Sequence, residues 1–402
     1  MELRQTTEQS KRTYQFLLIS AIIIVAFNLR PGITSVGPLI GMIRDDVGLA
    51  NWSAGLLTSL PLVAFAIMSP IAPKLGNKYT NERAMLIGLV ILILGIGTRS
   101  ISNAILLFSG TLLVGFGIAI LNVLLPGFIK SSFPTKVGVI TGIYTTSMSL
   151  MAAGGSGLSV PLATGLGLGW KLALAVWVIP ATLGLSIWVY LAKKQPKGKT
   201  IEVKSFQSNN RMWKDKLAWQ VALYMGLQSF LFYVTISWLP EILHHQGISM
   251  ATAGWMLSFT QFIGLPASFA IPVLAEKFTS QRILVGILST LSIIGYGGLL
   301  VSNSFPILII SCICIGFFLA GTFALALTFL GIRAKTPKDA AELSGMAQSL
   351  GYILAAFGPI LIGFLFDITG SWTVSIITII VDAMLVFMFG MFAGRNRYVL
   401  DN

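Results

Sequence analysis

Apolar runs of about twenty residues, separated by short polar breaks, recur from one end of this 402-residue chain to the other. Each is long enough for the ~20-residue helix that the hydrocarbon core of a bilayer demands. The pattern predicts spans near 14–43, 53–74, 84–101, 104–129, 137–163 and 170–192, then near 217–243, 251–275, 283–301, 306–331, 343–367 and 373–393. The one long polar segment between them, Lys193–Lys216, carries eight basic residues. It divides the chain into a six-helix bundle at 1–192, a linker at 193–216 and a second six-helix bundle at 217–402. No segment outside the spans is large enough to form a packed soluble domain. The expected fold is therefore an all-α integral membrane protein of twelve transmembrane helices, whose chemistry takes place among the helices.

The two sets of spans read as copies. The stretch Ala72–Arg83 lies 199 residues before Ile271–Arg282, and Pro, Leu, Lys, an aromatic, Thr and Arg recur in register. Ala54-Gly55 matches Ala253-Gly254 at the same offset, while Thr141-Gly142, Ala152-Ala153 and Gly155 match Ser344-Gly345, Ala355-Ala356 and Gly358 at an offset of 203. A six-helix unit repeated in one orientation, giving two pseudo-symmetric bundles, is the internal symmetry of a two-bundle secondary transporter.

Charge changes the picture in one respect. The net charge of +13 comes with only 10% charged residues, against 55% hydrophobic. With the N-terminus in the cytoplasm, Arg44, Arg99 and Lys171 fall in outward loops and Arg30 within the membrane. The other twenty-three basic residues are cytoplasmic. That bias sets orientation, with both termini inside, and is no nucleic-acid footprint. The polar stretch Met1–Gln15 reads as the lead-in to a retained first helix, not as a cleaved signal. Cys312 and Cys314 point to different faces of one apolar helix, so they read as core thiols.

Several blocks are more specific. They are Asn28-Leu29-Arg30-Pro31 with Thr34–Leu39, Asn122–Pro126 with Lys130 and Phe133-Pro134, and Ser344–Tyr352 with Gly358-Pro359 and Gly370-Ser371-Trp372. In these the chain resembles the major facilitator superfamily, and within it the cyanate porter branch that includes nitroimidazole transporters (the CynX/NimT type). The resemblance covers nearly the whole chain. It implies the major facilitator fold and a transport role, without naming the solute. One departure lies in the loop between the second and third spans, where Lys74–Arg83 keeps Lys78 and Arg83 but lacks the Asp-Arg pair of the superfamily's pattern.

The residue with most to explain is Arg30, inside the apolar stretch Phe16–Ile43. A guanidinium stays charged, and at mid-membrane it costs roughly 3 kcal/mol on insertion scales. Pro31 removes an amide and pushes Arg30 away from helical geometry, so the helix should open beside the arginine and free the Phe27 carbonyl. On a 100°-per-residue wheel Arg30, Thr34, Gly37 and Gly41 share one face, opposite Asn28, Pro31, Ser35 and Pro38. Arg30 is then either an anion-binding group, with Thr34 as a neutral donor, or half of an ion pair between helices. Of fourteen acids, only Glu241, Asp367 and Asp382 lie in or near the middle or outer parts of later spans. The imbalance favours an anionic or strongly dipolar solute over a cation.

Other polar residues inside spans face neighbouring helices or a cavity: Asn122, Tyr144, Tyr224, Gln228, Gln261, Gln348 and Tyr352. The substrate-binding candidates are Arg30, Thr34, Asn28, Asn122, Tyr144, Gln228, Gln348 and Tyr352. Pro31, Gly37, Gly155 and Gly358 are candidate hinge or packing positions. Asp382 reads either as a proton-linked carboxyl or as a helix–helix hydrogen-bonding residue, His244 and His245 as a solvated pair, and Trp238 as an interfacial anchor or a gate. No nucleotide loop, metal cluster or nucleophile–base set is present, which argues against an ATP-driven pump or an enzyme, and no cofactor is expected. The reading is a monomeric secondary transporter of the cytoplasmic membrane. It moves a small anionic or nitro-type, cyanate-like solute by alternating access, with coupled protons as candidate partners. Toxic-compound export and a non-transporting solute sensor are the alternatives.

Overall fold

Small polar side chains start the helices that the apolar runs then propagate. In the computed structural model, which describes residues 15–69, 71–133, 137–194, 211–335 and 337–401, the Asn103 side chain accepts from the amides of Ile105 and Leu106. Asp215 likewise accepts from Ala218, Ser249 from Thr252 and Ser371 from Thr373. Such caps satisfy amides that have no partner within the helix. Residues 1–14, the linker centre at 195–210 and Pro134 lie outside the described residues.

The helices are α1 (Gln15–Val47), α2 (Asn51–Met68), α3 (Asn81–Arg99), α4 (Ala104–Ser132), α5 (Val137–Val160) and α6 (Gly169–Lys193) in the first half. In the second they are α7 (Lys216–His245), α8 (Met250–Ala275), α9 (Arg282–Val301), α10 (Phe305–Ile332), α11 (Pro337–Thr369) and α12 (Trp372–Ala393). Among the described residues, eleven helices are long and apolar enough to cross a membrane. The fifth helix, α5, stands outside those eleven but occupies its expected place. The second span stops at Met68 rather than near 74, because the polar stretch that follows forms a separate helix, Ala72–Tyr79.

The repeat seen in the chain is a repeat of packing. A Cβ at Gly155 of α5 would lie 2.7 Å from the Thr34 hydroxyl and 3.1 Å from Pro31 of α1. A Cβ at its counterpart Gly358 of α11 would lie 2.8 Å from Val234 and 3.1 Å from Phe230 of α7. In each half, the missing side chain lets the fifth helix press on the first. Between halves, α2 packs on α11, α5 on α8 and α1 on α7.

These inter-half contacts are tightest on the face opposite the linker ends, Lys193 and Lys216. A Cβ at Gly37 would sit 1.8 Å from the Ile236 carbonyl oxygen, and one at Gly55 would sit 2.5 Å from that of Pro359. The Asp367 carboxylate on α11 accepts from the Asn51 and Trp52 amides that open α2, at 3.1 and 2.8 Å. Ser237 donates to Thr58 at 2.7 Å, and Arg44 donates to Asn51 at 2.8 Å and lies 3.9 Å from Glu241. The halves are thus closed on this face, and a cavity between them extends toward the linker face, past Pro272, Gly331 and Ile332.

Backbone contact at Gly37 leaves no room for a methyl group without parting α1 from α7. Gly37→Ala should open the closed face. In that variant, a cysteine placed at the buried Ser237 is expected to react with a membrane-impermeant maleimide about tenfold faster than in the Gly37 background, the factor that ~1.4 kcal/mol lost from the closed state produces.

Candidate functional site

The site begins where the α1 ladder fails. Helical bonding runs to Phe27, whose amide donates to the Ile23 carbonyl at 2.9 Å. Residues 27–30 then form turns, and Arg30 takes φ −122° and ψ −42°. Pro31 restarts the helix as its first residue, with the Arg30 carbonyl accepting from Ile33 and Thr34 at 2.9 and 3.0 Å. The opening expected beside the arginine is present, and its cause is the amide that Pro31 lacks.

Arg30 projects from this break into a cavity of about 590 Å³. Its guanidinium lies 5.3 Å from the centroid of the Phe232 ring, close enough for a cation–π attraction. Tyr233 and Tyr352 line the same cavity, and Tyr233, Tyr144 and Tyr352 lie within electrostatic reach of the guanidinium. Among the described residues no carboxylate pairs with it; the ion pairs are those of Arg44, Lys171 and Lys335. Gln228 and Gln261 add amide groups to the wall, while Leu257, Leu265, Ala320, Phe323 and Leu327 make much of the rest apolar. A fixed cation, the two phenols that line the cavity, Tyr233 and Tyr352, and an aromatic face can hold a planar group that carries oxygen-borne negative charge, leaving its body against the apolar wall, whereas Tyr144 does not line it.

The other candidates divide. Gln228 is fully buried in the cavity wall and donates to the Met225 carbonyl at 3.0 Å and to Ser229 at 2.7 Å, while its Oε1 has no partner among the described residues. Asn122 and Gln348 line a second cavity of about 390 Å³ between α2, α4 and α11. Tyr352 borders both cavities, with its ring edge-on to Phe65 at 5.5 Å. Thr34 is buried and donates to the Ala152 carbonyl at 3.0 Å, which ties α1 to α5. Asn28 is buried too, donating to Ile24 at 2.7 Å and to Pro180 of α6 at 3.2 Å. The break turns Arg30 out of step with Thr34, so the helical wheel that grouped them does not hold across it.

Two residues behave differently from their sequence reading. Arg99, expected in an outward loop, is the last residue of α3 and only 1% exposed. Its guanidinium turns inward and donates to the Gly32 carbonyl of the restarted α1 segment. Its Nε and Nη2 have no partner among the described residues. Gly110 makes room, since a Cβ there would lie 2.3 Å from the Arg99 amide. Trp238 is no interfacial anchor: it is fully buried, donates to the Pro359 carbonyl at 2.9 Å and packs against Trp372. Sequence reasoning missed Phe232 and Tyr233, which line the cavity, because an aromatic inside an apolar helix gives no signal of one. Cys312 and Cys314 are buried free thiols, and the side chain of Lys130 lies outside the described residues.

Known proteins resemble this chain in sequence and in fold. The family described as Major Facilitator Superfamily matches residues 19–359 and 230–399. The chain is 48% identical to an uncharacterized transporter, YycB, of Bacillus subtilis (strain 168), over 98% of this chain and 97% of that one. It is 37% identical to a 2-nitroimidazole transporter of Escherichia coli (strain K12), over 96% and 97%. Among solved structures, a point mutant of the nucleoside transporter NupG superposes with a TM-score of 0.77 at 14% identity, covering 92% of this chain and 98% of that one. That likeness is one of fold.

Because the Thr34 hydroxyl is committed to a backbone carbonyl, Thr34→Val should cost stability by about 1 kcal/mol. Thermal unfolding of the detergent-solubilised protein checks this as a lowered midpoint.

Proposed function

The chain belongs to the Major Facilitator Superfamily, in its cyanate porter branch, and we propose that it moves a small anionic or nitro-type organic solute across the cytoplasmic membrane by alternating access. The observation that carries this reading is an arginine without a carboxylate partner among the described residues, at a broken helix, facing an aromatic cavity between two helical halves. A nitro group or a carboxylate presents two coplanar oxygens, the shape a guanidinium fork grips with paired bonds. Phe232 can stack on an attached ring while Tyr233 and Tyr352 donate. A cavity of about 590 Å³ is within the range that encloses drug-sized molecules. That size favours a ring-bearing solute over a triatomic anion, and the nitroimidazole relative agrees with it.

With the basic linker in the cytoplasm, this state faces inward. Solute loads or leaves on the cytoplasmic side, and the contacts at Gly37, Gly55 and Asp367 part when the halves rock the other way. The same machinery serves uptake or export of a toxic compound. It works as a monomer with both termini inside. A sensor that binds without moving its solute would share the site but not the flux. Radiolabelled 2-nitroimidazole entering sealed proteoliposomes supports transport; binding with neither flux nor exchange defeats it.

Arg30 is the residue to test. In a thermal-shift titration, where a bound ligand raises the unfolding midpoint, 2-nitroimidazole and benzoate should stabilise the protein and a cationic drug should not. Arg30→Gln is expected to weaken binding by about tenfold to hundredfold, the loss of a charge-assisted bond of roughly 1.5–3 kcal/mol, and Arg30→Lys by less. Unchanged affinity in a folded Arg30→Gln protein refutes the role.

A further inference from the structure

We propose that Asp382 of α12 carries a proton during transport, and that Tyr296 and Thr235 connect it with the central cavity. This rests on the transport reading and adds its coupling group. Asp382 lies in the middle of α12, 7% exposed. Among the described residues it forms no ion pair, and its Oδ2 has no hydrogen-bond partner. An ionised carboxylate buried without a counter-charge is costly, so a carboxyl in this place exchanges a proton as its surroundings change. A helix-tying residue would instead have both oxygens engaged.

The neighbours supply a route. α12 packs against α7, α9 and α11. From α9 the facing titratable group is Tyr296, 2% exposed and near enough to feel the Asp382 charge. The Tyr296 hydroxyl is 2.7 Å from that of Thr235 on α7, and Thr235 lines the cavity that holds Arg30. From α7, Tyr224 packs on Gly390, two turns away toward the linker face, while Tyr233 faces Arg30. From α11, Tyr352 borders the cavity and Asp367 sits at the opposite, closed end.

Thr235 donates to the Leu231 carbonyl at 2.7 Å, so its oxygen is positioned to accept from Tyr296. Release then runs in three linked hops. With Asp382 drawn within hydrogen-bond reach of Tyr296, to which it is not bonded in this state, it passes its proton to the Tyr296 oxygen. Tyr296 passes its own to Thr235, and the Thr235 hydroxyl turns from the Leu231 carbonyl to give up its proton to cavity water. Both hydroxyls are regenerated, and a carboxylate and a hydronium remain. Uptake is the reverse. One proton moved with one monovalent anion leaves no net charge to carry across the membrane potential.

Infrared difference spectroscopy on proteoliposomes tests this without any solute. The wild-type protein should show a protonated carboxyl stretch that shifts in heavy water and vanishes reversibly as pH is raised. Asp382→Asn should remove the band, and Tyr296→Phe should keep it while slowing its deuterium exchange about tenfold. A band unaffected by Asp382→Asn, one that does not titrate, or one that exchanges equally fast in Tyr296→Phe overturns the proposal. With 2-nitroimidazole as probe, Asp382→Asn should lose at least about tenfold of the accumulation driven by an imposed pH gradient. Accumulation equal to wild type also overturns the proposal. If the wild-type protein does not move this probe, the solute reading fails, while the infrared result still decides the proton relay.

Discussion

A guanidinium held at membrane depth without a counter-ion constrains everything around it. Arg30 cannot lose its charge, and among the described residues no carboxylate answers it. What answers it instead is an aromatic face, a set of phenols and an open cavity. The cavity exists because the halves stand apart toward the linker face, and they stand apart there because they are joined at the other. The join depends on glycines whose missing side chains let backbone meet backbone. The polar break in α1 is tolerated for the same reason, since irregular backbone survives at this depth only where it is enclosed or wet. Arg99, gripping the Gly32 carbonyl from within the first half, holds the restarted segment in place behind the charge it presents.

The architecture could be read from the chain because its signals are local and periodic. Apolar run length gave the spans, and Pro31 gave the break. The matched glycines at 155 and 358 pointed to equivalent packing in each half, which is what they do. What escaped was direction. Thr34 and Asn28 are polar, within the right helix and near the right residue, yet both turn to backbone carbonyls of neighbouring helices. Arg99 sits at a helix end, where loop and core are one side-chain length apart, and a long flexible stem decides between them. Trp238 has the composition of an interfacial anchor, and only the fold shows that α11 and Trp372 cover it. Side-chain orientation across a broken or closely packed helix is a tertiary property, and periodicity does not encode it.

The halves repeat in backbone but not in chemistry. The first supplies the fixed cation, on a helix broken by proline. The second supplies Phe232, Tyr233 and Tyr352, together with the buried acid behind Thr235. Under the proposed reading, a symmetric scaffold separates two tasks, with the solute held by a cation of the first half and charge handled by an acid of the second that lies outside the cavity lining. Movement of one half against the other changes the distance between the two groups, so each step that exposes the solute also alters what surrounds the acid.

The carboxylate of Asp367 has a consequence beyond its place in the closed face. It caps α2 from the far half, in an exposed position, so the helix borrows its first acceptor from a partner that, under the proposed alternating access, leaves it in every turnover. When it leaves, water replaces it at both ends of the broken bonds, and the net cost is about 1–2 kcal/mol rather than that of a stranded buried group. By itself a latch of that strength is worth roughly a factor of 5–30 in an equilibrium. Asp367 is thus a readily exchanged part of the closed face, unlike the backbone contacts at Gly37 and Gly55 beside it, where no water can take the partner's place.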